Sequence, residues 1–359
     1  MSEPSLLINL SFVPTKPTGL GVYALNLVQH LAIADSIILS DRDIAGYARI
    51  APPRGTTTES GKAGHARRLW WTQTQVPKLY QQLNAKLLFS PIPEAPLWSQ
   101  CQTVVTVHDL IPLHFPQRRS PLTLYFQHYL PQVIRQARHI ICDSESTLRD
   151  IYHFFGKPPG QTAVVPLAYD DQHYQWLDLP RQPYFIYVGS HYTYKNLSRL
   201  ITAFAQTKLP EFRLLIAGTA DLRYTPPLET QVKEMGLGDR VQFLSYVPYN
   251  ALPRLINQAI ALVFPSLWEG FGLPVLEAMA CGTPVITSNL SSLPEVAGDA
   301  AVLVNPYSVG ELAEAMIAVA TRLQLWDSLH QAGLEHVKRF SWKQTGRQTS
   351  DILRRFSDG

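Results

Sequence analysis

Short apolar runs alternate with helix-period segments along most of this chain. Leu6–Leu10 reads as a first strand, followed by a loop rich in proline and glycine and a helix over about Val22–Ala32. Val104–Val107, His139–Cys142 and Ala163–Val165 read as further short strands. Between Asp170 and Pro183 the periodicity lapses into Asp, His, Gln and Pro, which marks a domain boundary. A second alternation follows, with strands at Tyr184–Val188, Phe212–Ala217, Val241–Phe243, Ala261–Phe264 and Val285–Thr287 and helices at Leu197–Gln206 and Glu229–Met235. The stretch Phe340–Phe356 reads as a last helix. Strands alternating with helices predict parallel sheets covered by helices. Two such series predict an α/β chain of two Rossmann-like, doubly wound domains facing each other across a cleft. The expected domains are residues 1–175 and 176–339, followed by the helical residues 340–359.

Composition narrows the class. At 359 residues the chain is too long for one ordinary core. A hydrophobic share of 46% and a charged share of 16% fit a globular protein with large buried sheets. The net charge of +3 is mild, so no nucleic-acid partner is called for, while phosphates or an anionic membrane surface are compatible with it. No secretory signal is expected from M-S-E-P-S, and no apolar stretch approaches the roughly 18 residues of a membrane span. Cys101, Cys142 and Cys281 are scattered and odd in number, which predicts reduced thiols and a cytoplasmic protein.

The densest chemistry lies in F-P-S-L-W-E-G-F-G-L-P-V-L-E-A-M-A-C-G-T-P, from Phe264 to Pro284. Glu269 and Glu277 bracket a glycine-rich turn that opens a short helix. Pro274 suits the first helical turn and Gly282 the stop. Such a helix start presents unpaired N–H groups and a positive dipole end. Gly270 and Gly272 let the backbone approach a ligand closely. That ligand is expected to be anionic or hydroxyl-rich, met by Glu277 from the first helical turn and Glu269 from the loop. The same pattern also fits a glycine turn capping a buried helix, with two solvated glutamates.

Other loops carry candidates of the same kind. Gly19 and Gly21, in K-P-T-G-L-G-V-Y, can offer N–H groups to a phosphate, although a glycine before a helix is commonly structural. G-x-G-x-x-G is absent, because Ala24 stands where the third glycine belongs. T-V-H-D-L puts His108 and Asp109 at a strand end, a place for a packed or capping histidine as well as a ligand. In Y-V-G-S-H-Y-T-Y-K-N-L, Gly189 permits close approach, and Lys195 can neutralise a diphosphate leaving group or stand as a surface lysine. Arg67 to Gln73 reads R-R-L-W-W-T-Q, where Arg68, Trp70 and Trp71 suit a glycan or lipid-diphosphate acceptor, a core helix with a basic edge, or a membrane surface.

The Phe264–Pro284 segment resembles the nucleotide-sugar site of glycosyltransferase family 4, retaining enzymes of the GT-B fold. Two glutamates with seven residues between them flank a G-F-G-x-x motif there, as here. The resemblance implies that Glu277 holds the ribose hydroxyls, and that Glu269 and the backbone of Phe271, Gly272 and Leu273 hold the transferred sugar. It also implies that the Gly19–Gly21 loop approaches the donor diphosphate, and that Lys195 binds phosphate. His108 would position the sugar, with Asp109 structural, and Tyr246 would contact the base. The last helix would cross back onto the first domain. One departure is visible: many relatives carry an arginine shortly before the lysine, where this chain has Tyr194. Either Lys195 carries the charge alone, or a basic residue elsewhere, such as Arg223, assists it. No metal or cofactor is expected, since GT-B enzymes generally use cationic side chains and helix ends, and the D-x-D at Asp41–Asp43 is remote in sequence from the nucleotide motifs.

The implied activity is retaining, front-face transfer of a hexose from a nucleoside diphosphate sugar to a glycan or lipid-linked acceptor. The style of the motifs resembles bacterial polysaccharide mannosyltransferases and favours GDP-mannose over UDP-glucose. A non-catalytic nucleotide-sugar-binding protein and a nicotinamide-dependent oxidoreductase are the other classes considered. The cytoplasm, with contact at the inner face of the plasma membrane, is the expected location.

Overall fold

A computed structural model describes residues 6–17, 19–118, 120–156, 162–245 and 247–357, apart from the side chain of Thr58. The chain forms two compact units, Met1–Leu167 with Trp342–Gly359, and Ala168–Ser341.

The first unit holds seven strands: β1 (Leu6–Asn9), β2 (Ser36–Leu39), β3 (Ala48–Ile50), β4 (Leu87–Ser90), β5 (Thr103–Val107), β6 (His139–Cys142) and β7 (Thr162–Val164). Their order across the sheet is β3-β2-β1-β4-β5-β6-β7, and every pairing is parallel. The central strands are buried along their whole length, which is why L-L-I-N and T-V-V-T-V lack a polar alternate position. The helix Trp342–Ser357 belongs to this unit. Its Thr345 hydroxyl donates to Pro166 O at 2.8 Å, and its Ser350 hydroxyl accepts from Ala32 N at 2.9 Å.

The second unit repeats the plan with six strands: β8 (Tyr184–Val188), β9 (Arg213–Ala217), β10 (Val241–Leu244), β11 (Ala261–Phe264), β12 (Val285–Ser288) and β13 (Val302–Val304). The order is β10-β9-β8-β11-β12-β13, again parallel throughout. Leu214, Ile216, Leu262, Val263 and Ile286 are fully buried in its core.

Several boundaries differ from those expected. The division falls after Leu167, not after residue 175, because Asp170, His173 and Tyr174 pack against Tyr249 of the second unit. The helix expected from Glu229 begins at Thr225, since Pro226 and Pro227 occupy a first turn that needs no N–H donors. The first helix is Leu20–Gln29, shorter at its end than Val22–Ala32 suggests. Strands β2, β3, β4 and β13 lie outside the sequence expectation. β3 is three residues of half-exposed edge, too short to show a period.

Candidate active site

The second sheet changes direction between β8 and β11: β9 and β10 extend it one way, β12 and β13 the other. Loops leaving the carboxyl ends of these two adjacent strands therefore diverge and open a crevice, the place where open parallel sheets bind ligands. Both donor motifs leave these two strands.

After β8, Gly189 donates its N–H to Ala217 O at 2.9 Å. A Cβ on Gly218 would lie 1.9 Å from Gly189 O, so the ends of β8 and β9 touch backbone to backbone. Beside them lies a cavity of about 320 Å³, lined in part by Gly189, Gly218, Thr219, Ser245 and Val247. Tyr246, the expected base contact, lies outside the described residues.

The chain then makes a 3-10 turn, Thr193–Lys195, before the helix Leu197–Gln206, so one residue, Asn196, separates Lys195 from that helix. Asn196, in the left-handed region at φ 65°, donates its side-chain amide to Pro265 O and Pro306 O at 3.1 and 2.7 Å. Leu267 N donates to Tyr194 O at 2.7 Å. These bonds stitch the β8 loop to the β11 loop and bring two distant motif residues together. Lys195 Nζ donates to Glu269 Oε1 at 2.6 Å, and the two side chains are 13% and 10% exposed. An ammonium has three donors, so Lys195 can hold Glu269 and still reach a phosphate.

Glu269 is held on its backbone too. Its N–H donates to the Ser291 hydroxyl at 3.0 Å, and the Ser292 hydroxyl donates to the carbonyls of Glu269 and Phe271 at 3.0 and 2.7 Å. Gly270 and Phe271 complete the turn, with Phe271 buried edge-on to Phe340. Gly272 caps the helix Leu273–Ala280 at φ 113°, a conformation closed to side-chain-bearing residues, and Pro274 sits in the first turn. Glu277 therefore stands in the second helical turn, not the first as expected, because the helix begins only at Leu273. Gly282 follows its end at φ 71°. Glu277 is half-buried and accepts a hydrogen bond from the Tyr174 hydroxyl. Burial, then the nearby Asp170 carboxylate, push its carboxyl up to about 7.

Arg223 forks onto Asp221, with Nη2 to Oδ2 at 3.0 Å, and is mostly exposed. Tyr174, Asp170, Ser291 and Ser292 carry no mark of a site in the sequence. The linker pair lies where the periodicity lapses, and the serines act through hydroxyls that any loop could carry.

The first unit holds the remaining candidates. Gly19 has φ 48° with nothing within 4 Å of a would-be Cβ, whereas a Cβ on Gly21 would meet Pro17 Cβ at 3.1 Å. Gly19 thus faces open space, and Gly21 serves packing. His108 is 9% exposed; its Nδ1 lies 2.6 Å from Asp143 Oδ2 and its Nε2 lies 2.9 Å from Pro91 O. Both partners accept only, so both nitrogens carry protons. Burial opposes that charge, but the Asp143 carboxylate and the Pro91 carbonyl outweigh it and raise the imidazole's affinity for the proton. The sugar-positioning role expected of His108 has no free ring nitrogen to act through. Asp109 accepts from Ile111 N at 2.9 Å, as a structural residue does.

The helix Gly61–Thr74 divides the expected acceptor trio Arg68, Trp70 and Trp71 between core and solvent. Arg68 is buried, with Nε at 3.1 and 3.0 Å from the two Glu94 carboxylate oxygens and Nη1 donating to Thr56 O. Trp71 belongs to the core with Leu7, Val76 and Leu88, and only Trp70 stands in solvent. The helix face, invisible in the string R-R-L-W-W, turns Arg68 and Trp71 inward. In the D-x-D, Asp43 pairs with Arg49, while Arg42 donates to Pro14 O and Thr15 O. Among the described residues, no group of three or more His, Cys, Asp or Glu side chains could hold a metal ion, and no helix is long and apolar enough to cross a membrane.

Two family models match in tandem, Glycosyltransferase Family 4 over residues 17–173 and Glycosyl transferases group 1 over residues 170–333. The chain belongs to the group 1, family 4 glycosyltransferases. Its relatives include O-antigen chain mannosyltransferase B of Escherichia coli, 29% identical over 92% of this chain and 94% of that protein. O-antigen chain mannosyltransferase RfbU of Salmonella typhimurium is 28% identical over 84% of this chain and 87% of that one. Among solved structures, the sucrose-phosphate synthase of Thermosynechococcus elongatus matches with a TM-score of 0.76 and 22% identity, covering 98% of both chains. That likeness gives the glycosyltransferase its fold class, GT-B.

Proposed function

We propose that this glycosyltransferase moves a hexose, mannose ahead of glucose, from a nucleoside diphosphate sugar to a glycan or lipid-linked acceptor, with retention of configuration and without a metal. The observation that carries the reading is the Lys195–Glu269 pair at the carboxyl ends of β8 and β11, with Glu277 on the helix that follows. In this reading, Glu277 accepts the ribose hydroxyls, and the cavity beside Gly218 receives the base. Glu269 and the backbone from Phe271 to Leu273 hold the sugar, and Lys195 meets the diphosphate. Within the first unit, the backbone at Gly19 is unencumbered and His108 braces its own loop.

Charge grows on the diphosphate as the glycosidic bond breaks, so a cation fixed before the reaction stabilises the transition state. The acceptor hydroxyl attacks the face from which the diphosphate leaves, and a phosphate oxygen takes its proton. The preference for GDP-mannose is supported by the mannosyltransferase names of the two bacterial relatives. The cytoplasm, beside the inner membrane face, is the proposed place of work. The three cysteines are free thiols, as suits a reducing compartment.

Thermal-shift measurements against GDP, UDP and ADP, their sugars and NAD select the donor. Turnover with that donor is expected to survive excess EDTA and to yield the donor's anomer. Glu277→Ala should weaken nucleotide binding by about 1.5–3 kcal/mol for each charged hydrogen bond lost. Parental nucleotide affinity in that variant would remove the ribose assignment.

A further inference from the structure

We propose that Tyr174 is a positioning residue for the Glu277 carboxylate, and that the Asp170–Tyr174 segment couples nucleotide binding to release of a proton. The inference rests on the reading of Glu277 as the ribose ligand. Its grounds are a closed set of contacts that joins Asp170, His173 and Tyr249 to the backbone and ring of Tyr174. Asp170 Oδ1 accepts from the N–H groups of Gln172 and His173 at 3.2 and 3.1 Å, and Asp170 O accepts from Tyr174 N at 2.9 Å. His173 stacks on Tyr249 at 3.7 Å between centroids and 6° between planes. Tyr249 in turn donates its hydroxyl to Asp170 Oδ2 at 2.9 Å, and its carbonyl lies 2.8 Å from His173 Nε2. Tyr174, buried, meets both rings edge-on. These contacts place the Tyr174 ring, and its hydroxyl donates to Glu277.

The chemistry follows from what each group can give. Burial and the neighbouring carboxylates keep the Tyr174 phenol protonated, so it can only donate to Glu277. That bond orients one carboxylate oxygen and leaves the remaining lone pairs for a pair of vicinal hydroxyls. The titratable groups bearing on Glu277 are Asp170, Tyr174, Tyr249 and Cys281. Burial and Asp170 hold the Glu277 carboxyl at about 7, so it is protonated below neutrality. A protonated carboxyl cannot accept from both ribose hydroxyls on equal terms, so binding selects the carboxylate and the proton passes to solvent. Affinity should therefore fall about tenfold for each pH unit below 7.

The test is calorimetry in buffers of different ionisation enthalpy, using whichever of GDP, UDP and ADP binds most tightly. Roughly one proton released per site is expected at pH 6 and almost none at pH 8.5. The 2′,3′-dideoxy nucleotide, which lacks the diol, supplies the contribution of the phosphate's own titration. Tyr174→Phe removes the bond that favours the charged carboxylate, so the midpoint of release should move to higher pH. Asp170→Asn keeps the Oδ1 acceptor of the turn but removes the repulsion, so the midpoint should move to lower pH. Unmoved midpoints in both variants, or an affinity loss of equal size at every pH in Tyr174→Phe, would overturn the proposal. If Glu277→Gln binds and releases protons as the parent does, the ribose assignment falls and takes this inference with it. If Glu277→Gln abolishes release while Tyr174→Phe changes nothing, the ribose assignment stands and only the role of Tyr174 is lost.

Discussion

Replacing Lys195 with methionine removes a charge and leaves the aliphatic stem in place, so its effects can be traced to the ammonium. The partner left behind is Glu269, 8% exposed, whose carboxylate now has Nζ at 2.6 Å. Breaking a buried pair by removing one member typically costs 3–5 kcal/mol, because the other charge stays desolvated. With both side chains about one-tenth exposed, water can screen part of that, and a loss of about 2–3 kcal/mol is expected. In a unit of this size that is a fall in Tm of roughly 4–12 °C. The double variant Lys195→Met/Glu269→Gln should recover most of it, since no unpaired charge remains. Catalysis should behave differently. Loss of one preorganised electrostatic contact costs about 10²–10³ in turnover, and the double variant should recover none of it. Differential scanning calorimetry of the three proteins, with steady-state kinetics on the cognate nucleotide sugar, separates the two effects. The loss should sit in kcat more than in KM. Near-parental kcat with only a raised KM would reduce Lys195 to a ground-state anchor. Absence of recovery in the double variant would show that the ion pair is not what Glu269 depends on for stability.

Two further outcomes test the scaffold around the site. Gly218→Ala would place a Cβ 1.9 Å from Gly189 O, forcing β8 and β9 apart; a destabilisation of about 1–3 kcal/mol and at least a tenfold loss of nucleotide affinity are expected by denaturation and titration. Arg68→Ala would strand Glu94, which is 1% exposed, at a cost of about 3–5 kcal/mol by chemical denaturation, with nucleotide affinity unchanged. A raised acceptor KM at parental stability would instead return Arg68 to the acceptor site.

Much of this protein is determined by sequence that is local in its action. Runs such as Leu6–Leu10 and Val104–Val107 read as buried strands from their own residues, and the alternation of such runs with helices points to parallel sheets. Glycine at 272 and proline at 274 fix where the helix carrying Glu277 starts, because the constraint is a backbone angle belonging to the residue itself. Pairings that join distant segments were decided elsewhere. Lys195 and Glu269 are separated by 74 residues and meet only because β8 and β11 are neighbours at the point where the sheet changes direction. Arg68 and Trp71 carry the residue types of a ligand surface, yet the side of the helix that faces the core, set by the sheet beneath it, turns them inward. Tyr174 acquires a role only through its burial against Glu277, 103 residues further on and in a segment with no periodicity to mark it. Backbone conformation is written residue by residue, whereas proximity, burial and therefore the charge state of Glu277 arise only when the strands have paired.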